Sequence, residues 1–256
     1  EINTKAVPSE RILDLSFSSG YNSETSLSDG LLYDGGDDDD LGYDDGTRDF
    51  PSFVQRAINA NQKLDRSNFK TYQLANAGRE FVNSELWVIQ EGDVPLDNSV
   101  SFTYGDELDI DIERLLDDES ATIGVLLTAG VKSSWETQEG IRQTGDIQGQ
   151  GDGTSIVIRG NDKTFKSTSN NVTTYLMAVA GIETDTAELK YTGMYIHKGT
   201  KEARTLQGYD TSDSGNVRED FTEFFERELT NHQLNYNYIF QNDMELDVRL
   251  AGGDAS

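Results

Sequence analysis

The sequence is most informative in what it lacks. It has no cysteine, three prolines and two histidines. The absence of cysteine excludes a disulfide framework, thiolate zinc sites and thiol catalysis. The two histidines, His197 and His232, are too far apart for the i, i+4 pair of a helical zinc site. No hydrophobic run reaches the roughly 18 residues of a membrane-spanning helix. These absences argue against thiol catalysis, against a thiolate or helical zinc site, and against a membrane-spanning helix.

Basic residues are also scarce. Lys and Arg number 21 against 47 Asp and Glu, which gives a net charge of −26. A nucleic-acid partner needs clustered basic residues, so this composition argues against one, and it argues equally against binding to an anionic membrane surface. Such a chain repels itself at low salt, whereas at about 1 M salt the Debye length falls to ~3 Å. The charge therefore predicts a protein adapted to a high-salt environment.

Three regions follow from the composition. Residues 1–50 predict an extended acidic arm, which is too polar for a core of its own but contains one short apolar stretch at 12–17. Residues 51–83 predict a helical segment that packs on the body, because apolar residues recur there at helical spacing. Residues 84–256 form the predicted body, with one helix near 217–229, where Phe221, Phe224, Phe225 and Leu229 make an apolar stripe.

The body is predicted to be β because its apolar residues recur with a period of two. Val100, Phe102 and Tyr104 alternate with polar residues, and the alternation returns at residues 108–112 and 234–250. The last stretch fits one very long strand or two strands broken at 241–243. The expected fold class is mainly β: an antiparallel β-sandwich or jelly-roll-like body of seven to nine strands, with an extended N-terminal arm and two or three helices.

No catalytic constellation is recognisable, so no catalytic residue is predicted. The chain has no G-x-S-x-G elbow and no P-loop. The run Asp37, Asp38, Asp39 and Asp40 supplies oxygen ligands of the kind that hard cations prefer, although it matches no EF-hand loop. No cofactor is required; Ca²⁺, Mg²⁺ or monovalent cations are the candidate ligands of this run, and a solvated charge run is the plainer interpretation. Asn171 begins an N-x-[ST] sequence and is a candidate glycosylation site.

These features favour a non-enzymatic structural protein of a large assembly. The most specific form of the hypothesis is a virion capsid or shell protein of a halophilic (haloarchaeal) virus, whose partners are copies of itself and other structural subunits. In outline the chain is similar to jelly-roll capsid proteins, with an arm and a sandwich, and that similarity is architectural and rests on no motif. The alternative is a secreted or cell-surface β-sandwich module of a halophile that binds a cation or a carbohydrate, with Trp87 and Trp135 as the aromatic residues of interest. The expected location is a virion or the cell exterior.

Overall fold

The computed structural model describes residues 10–82, 88–111, 120–149, 155–242 and 244–256. In chain order its elements are β1 (Ile12–Gly20), β2 (Asp29–Leu32), α1 (Ser52–Asn59), α2 (Thr71–Val82), β3 (Gln90–Asp93), β4 (Asp97–Asp111), β5 (Ser120–Gly149), β6 (Ser155–Glu183), β7 (Ala187–Asp210), β8 (Gly215–Ile239) and β9 (Glu245–Ala255). A content of 65% strand against 10% helix confirms the predicted mainly β class.

Seven strands form one antiparallel sheet in the order β1-β4-β5-β6-β7-β8-β9. The pair β2–β3 forms a second, two-stranded sheet that packs on β6 and β7 of the first, so the body is sandwich-like. Strands β5 and β6 span 30 and 29 residues, whereas most strands in globular proteins have 3–10. The outer strands are shorter, so only one end of the sheet is seven strands wide.

The strands are longer than the sequence pattern predicts. Strand β4 runs through Gly105 and Asp106, and β5 continues to Gly149, although glycine and aspartate are disfavoured in strands. Gly105 pairs with Ile12 on one side and with Leu126 on the other. Hydrogen bonding to two neighbours therefore outweighs the weak strand preference of glycine and polar residues. Residues 234–250 form two strands, the second of the two alternatives, because Phe240 N donates to Met244 O and closes a hairpin.

The antiparallel register assigns every second side chain to the same side of the sheet. Face A consists of the odd-numbered residues of β1, β5 and β7 and the even-numbered residues of β4, β6, β8 and β9. Face B carries the alternate residues. The registers are continuous, apart from one irregularity between Gln143 and Gly145. A pattern on one strand therefore aligns with patterns on all the others.

The predicted helix at 217–229 is wrong: these residues lie within β8. The spacing of four between Phe221, Phe225 and Leu229 fits one face of a helix and, equally, one side of a strand. In the structure these three residues share face B, whereas Phe224 lies on face A with the Arg48 guanidinium 4.0 Å from its ring centroid. Because β8 pairs with β7 along its whole length, these residues form a strand and not a helix.

The N-terminal region was predicted as an extended acidic arm, and residues 10–49 of it lie against the sheet of the same chain. Strand β1 pairs along its whole length with β4. Residues 21–49, here called the covering segment, cross face A of the same chain. The Tyr33 side chain is 6% exposed and its hydroxyl donates to Glu223 O, while Leu31 N donates to Thr168 Oγ1. The segment makes no core alone, as predicted, but it completes the core of the body with Ala203.

The predicted helical region contains α1 and α2. Helix α2 continues past Gly78, where the sequence suggested an end. The rings of Phe53 and Phe69 pack edge to face at 5.1 Å. Among the described residues, the hydrogen bonds of 51–82 stay within that segment.

The covering segment meets the sheet through two glycines, which gives a test of its docking. A Cβ on Gly199 would overlap the backbone of Gly42, whose own φ of 83° is left-handed. We expect Gly199→Ala to release the segment around Gly42, seen as faster hydrogen exchange in residues 38–43. Gly252→Ala is the control, because its Cβ would have nothing within 4 Å. Equal exchange in both variants would contradict this packing.

Candidate interaction surface

Face A is divided into a covered half and an uncovered half. The covering segment and the β2–β3 sheet lie over the half that contains Val172, Gly199 and Ala203, which are all buried. The other half carries apolar side chains on every strand, here called the belt. Its members are Leu13, Leu15 and Phe17 (β1); Val100, Phe102, Tyr104, Leu108 and Ile110 (β4); Ala121, Ile123, Val125, Leu127, Ala129 and Val131 (β5); Leu176, Ala178, Ala180 and Ile182 (β6); Leu189, Tyr191 and Tyr195 (β7); Leu234, Tyr236 and Tyr238 (β8); Leu246, Val248 and Leu250 (β9).

The belt is exposed to an unusual degree. Leu15 and Phe17 are 75% and 73% exposed, Leu108 is 64% and Leu250 is 60%. Seven strands at ~4.8 Å spacing span about 29 Å, and the belt covers about 15 Å along β1 and β9 and about 35 Å along β4 and β5, an area on the order of 700 Å². The largest apolar patch of a typical monomer is about 300–600 Å², and larger ones mark sites of interaction. The belt is therefore the strongest candidate for a functional surface.

The belt runs obliquely across the strands. On β1 and β5 it reaches Phe17 and Val131, which stand level with each other in the register. On β8 and β9 it stops at Leu234 and Leu250, which stand level with Val125. The margin thus shifts by six residues, about 20 Å, over about 29 Å of sheet width. The margin of the belt is therefore inclined by about 35° to a line drawn perpendicular to the strands.

Charge avoids the belt. Among the described residues of face A at this height, Asp106 is the sole acid, Arg11 lies 3.7 Å from it, and the other basic side chain is His232, level with Leu127. The Tyr104 hydroxyl donates to the Asp106 carboxylate at 3.0 Å. On face B the same stretch carries charged and amide side chains among its apolar ones, for example Glu107, Asp247 and Asn235. At this height face A is therefore suited to an apolar environment and face B to water.

A buried ion cluster fixes the covering segment to the other half of face A. Arg48 Nη2 donates to Asp39 Oδ1 at 2.6 Å, and Lys201 Nζ lies 2.7 Å from Asp39 Oδ2. Lys201 also donates to Asp34 O at 2.6 Å, and burial raises the pKa of the neighbouring Tyr33 to about 12. The Arg48 and Asp39 side chains are 8% and 7% exposed. The Asp39 carboxylate thus pairs with two cations, and Asp44 adds a second carboxylate 3.2 Å from Arg48.

An aromatic contact fastens the same segment further along. The Tyr43 and His197 rings stack at 3.8 Å, and His197 Nε2 donates to Gly42 O at 2.8 Å. The hydroxyls of Tyr43 and Tyr195 are 3.1 Å apart, and Asp44 N donates to Glu226 Oε1. His197 is buried in the middle of β7. Its ring is engaged in packing the segment.

The structure does not bring the four predicted cation ligands together. Asp39 is buried in the ion cluster, while Asp37, Asp38 and Asp40 are exposed. No group of three or more His, Asp or Glu side chains in the described parts of the chain is arranged to hold a metal ion. Any coordination by the run would compete with two cations already bound to Asp39.

The predicted glycosylation site lies inside the sheet. Asn171 pairs with Ser134 of β5 and Thr200 of β7. Its Oδ1 accepts a hydrogen bond from Thr200 Oγ1 at 3.1 Å, and its carbonyl accepts one from Ser134 Oγ at 3.4 Å. The side chain is half-buried on face B, so attachment of a glycan stays a prediction without structural support.

The belt was missed from the sequence, although its parts were visible. The apolar stretch at 12–17 and the alternation at 100–104, 108–112 and 234–250 are visible in the sequence, as is the apolar run at 121–131. In the structure, the strand register places the apolar residues of all these stretches on the same side of the sheet. The sequence alone does not give that register. The signal available in the sequence was the apolar alternation next to each short turn.

Comparison with protein-family models, with curated proteins and with solved structures finds no match for this chain. Within the described ranges, neither helix is long and apolar enough to cross a membrane.

The ion cluster predicts unequal effects within the aspartate run. Asp39→Asn removes the carboxylate that Arg48 and Lys201 share and leaves Arg48 with Asp44, 3.2 Å away; removing one member of a buried ion pair costs about 3–5 kcal/mol. We expect loss of protection against hydrogen exchange throughout residues 33–48. Asp37→Asn, an exposed neighbour, is the matched control and should change little. Similar exchange in the two variants would show that the cluster does not hold the segment.

A second buried cluster predicts a pH dependence. Lys163 Nζ lies 2.6 Å from Asp210 Oδ2 and 2.7 Å from Glu219 Oε2. The hydrogen bond from Lys163, with one from Ser212, lowers the pKa of Asp210 to about 2 from its usual 3.8. Because the folded pKa is depressed, the stabilisation is present above pH ~3.8 and is lost as the pH falls towards about 2.

The stability difference between the wild type and Asp210→Asn should therefore be largest near neutral pH and should shrink below pH ~4. Denaturant unfolding across a pH series measures it, with Asp213→Asn as the exposed control. A difference that stayed constant down to pH ~2 would contradict the role of the carboxylate.

Proposed function

We propose that this chain is a non-enzymatic structural protein embedded in a lipid bilayer, with the belt in the hydrocarbon layer. The observation that supports this most is the uncovered, oblique and nearly charge-free belt across all seven strands. A hydrocarbon layer covers such a surface without needing a complementary protein shape.

The dimensions of the belt fit a bilayer. On β5 it covers eleven residues, 121–131. A strand crosses the ~30 Å hydrocarbon core with about 9–11 residues when tilted by about 45°. The slant of about 35° falls within the 35–45° tilt of strands in membrane sheets. Tilting the sheet by that angle brings the margin of the belt parallel to the plane of the layer.

Aromatic residues lie close to both margins of the belt. Tyr195 is the last belt residue of β7 on the covered side, and Tyr238 lies next to the opposite end of β8. Tyrosine favours the boundary between hydrocarbon and water because its ring is apolar and its hydroxyl is polar. The projecting parts of β5–β8, with the covering segment, lie beyond the layer.

The net charge of −26 does not oppose this arrangement. The insertion is driven by apolar contact, whereas the acidity disfavours attraction to anionic lipid headgroups. Within the described belt the single acid, Asp106, is next to Arg11. The remaining acids of face A lie past the margin, as Glu226 and Glu228 do.

The proposal requires partners for the two outermost strands. In hydrocarbon an unpaired backbone N–H or C=O costs several kcal/mol, so an open sheet edge is not tolerated there. The outer edges of β1 and β9 are unpaired among the described residues. The embedded sheet is therefore continued by strands of further copies or of another part of the assembly.

A second candidate is the shell-protein hypothesis, in which copies of the chain cover the belt. Its support is the same pair of open edges and a belt of about 700 Å², close to the ~800 Å² that each partner contributes to a standard interface. The free arm no longer supports it, because residues 10–49 pack on their own sheet. The virion and halophile parts of that hypothesis stay proposals.

Arginine substitution on the two faces tests the membrane proposal. Leu127 lies mid-belt on face A, and Gln233 is exposed on face B one step away in the register. Each change to Arg adds one positive charge. Leu127→Arg should weaken insertion into phosphatidylcholine vesicles by about 30- to 1000-fold, which corresponds to 2–4 kcal/mol at mid-layer. Gln233→Arg should insert like the wild type.

Flotation with vesicles after an alkaline wash, with the folded state checked by circular dichroism, is the measurement. A wild type that fails to float, but forms large particles in water that Leu127→Arg abolishes, would replace the membrane proposal with the shell protein. A wild type that neither floats nor associates at any salt concentration would overturn both.

A further inference from the structure

A cleft of about 340 Å³ opens between the β2–β3 sheet and the covered half of face A. Its size is within the range of small-molecule sites, which begins near 300 Å³. The floor is apolar and aromatic, with Leu31, Tyr33 and Trp135, and the rim is polar, with Asp34, Gln90 and Glu91. A largely apolar pocket with a few convergent polar groups is the usual form of a ligand site.

Trp135 provides the platform of the cleft. It lies on β5, half-buried, and its backbone N–H donates to Asp97 Oδ1 at 2.7 Å, which fixes the strand beside it. The other aromatic ring, Tyr33, is occupied: Lys201 Nζ lies 4.6 Å from its centroid and its hydroxyl donates to Glu223 O. A ligand with an apolar ring face would therefore stack on Trp135.

The rim offers hydrogen-bonding groups of both kinds. The Gln90 amide both donates and accepts, and the Glu91 and Asp34 carboxylates accept. These three side chains are exposed, and no hydrogen bond between them and another described side chain is present. Alternating hydroxyl groups on a ring need such a mixture.

Charge excludes anionic ligands from the cleft. Asp34 and Glu91 contribute two negative charges at its rim, and the single cation, Lys201, already lies 2.7 Å from the Asp39 carboxylate. A phosphate or carboxylate ligand would meet net repulsion, and it would have no unpaired basic side chain to bind among those that line the cleft.

We propose that this cleft is a carbohydrate site that binds a neutral sugar ring, stacked on Trp135 and hydrogen-bonded by Gln90 and Glu91. Trp135 lies four residues beyond the belt on β5, about 13 Å along the strand. The cleft is thus accessible to a sugar ring from two sources, a free sugar in solution and the sugar headgroup of a glycolipid. The site itself does not depend on the membrane proposal.

The fluorescence of Trp135 reports sugar binding in the test of this proposal. Trp87→Phe leaves Trp135 as the single tryptophan. In that background, held in detergent without a bilayer, glucose, galactose and N-acetylglucosamine are titrated separately while the emission is recorded. A saturable change near millimolar concentration is expected for at least one of them, whereas inorganic phosphate should produce none.

Gln90→Ala and Glu91→Ala should each weaken that binding at least tenfold. Glu136→Ala, an exposed carboxylate next to Trp135 on face B, is the control and should leave it unchanged. Equal binding by all four proteins would overturn the assignment, because the sugar would then lie elsewhere.

Phosphatidylcholine vesicles with and without galactosyl diacylglycerol distinguish the two sources. Binding of free galactose without extra retention on the glycolipid vesicles supports a sugar from solution. Extra retention that Gln90→Ala removes supports the headgroup. No effect of any sugar or of the glycolipid overturns the site, while flotation on plain vesicles reports separately on the membrane proposal.

Discussion

The antiparallel register from β4 to β9, which is continuous across the whole belt, is the constraint on which the other features depend. A slip of one residue on any strand would move its whole apolar set to the opposite side of the sheet. The ladders between β5 and β8 are long enough to hold glycines and polar runs in extended form, and they place Val131, Leu176 and Tyr195 on one surface. The belt is a property of that alignment, since no strand carries it alone.

The covering segment lies where face A is polar and leaves it open where it is apolar. Hydrophobic burial alone would give the opposite arrangement, because covering a residue such as Leu15 or Leu250 is worth about 1.5–3 kcal/mol. The segment is held instead by Arg48, Asp39 and Lys201 and by the stacking of Tyr43 on His197. The segment therefore closes the polar half of face A and leaves the apolar belt exposed.

The spacing of apolar residues in the sequence predicts much of the local secondary structure, but it does not predict the register in which the strands pair. The alternation at 100–110 and 234–250 and the helical spacing at 53–58 correspond to strands and a helix in the structure. A spacing of four, as in Phe221 and Phe225, fits both periods, so only pairing with β7 assigns β8 as a strand. The polar composition of residues 21–49 gives no sign of their partners in the same chain, some of them 150 or more residues away, such as Glu223 for Tyr33. Neither the parity of the belt nor its slant is visible without the register.

Strands β1 and β9 lie at opposite edges of the sheet and run in the same direction. In the register Ile12 and Ala255 lie four residues apart along the strands, about 13 Å, and six strand spacings apart across them, about 29 Å. A pull between them would therefore act mainly across the sheet, through all six ladders in series, and would load the hydrogen bonds of each ladder along their own direction. The short ladders at the two edges would yield before the long ladders between β5 and β8, so the outermost strands set the strength of the whole sheet.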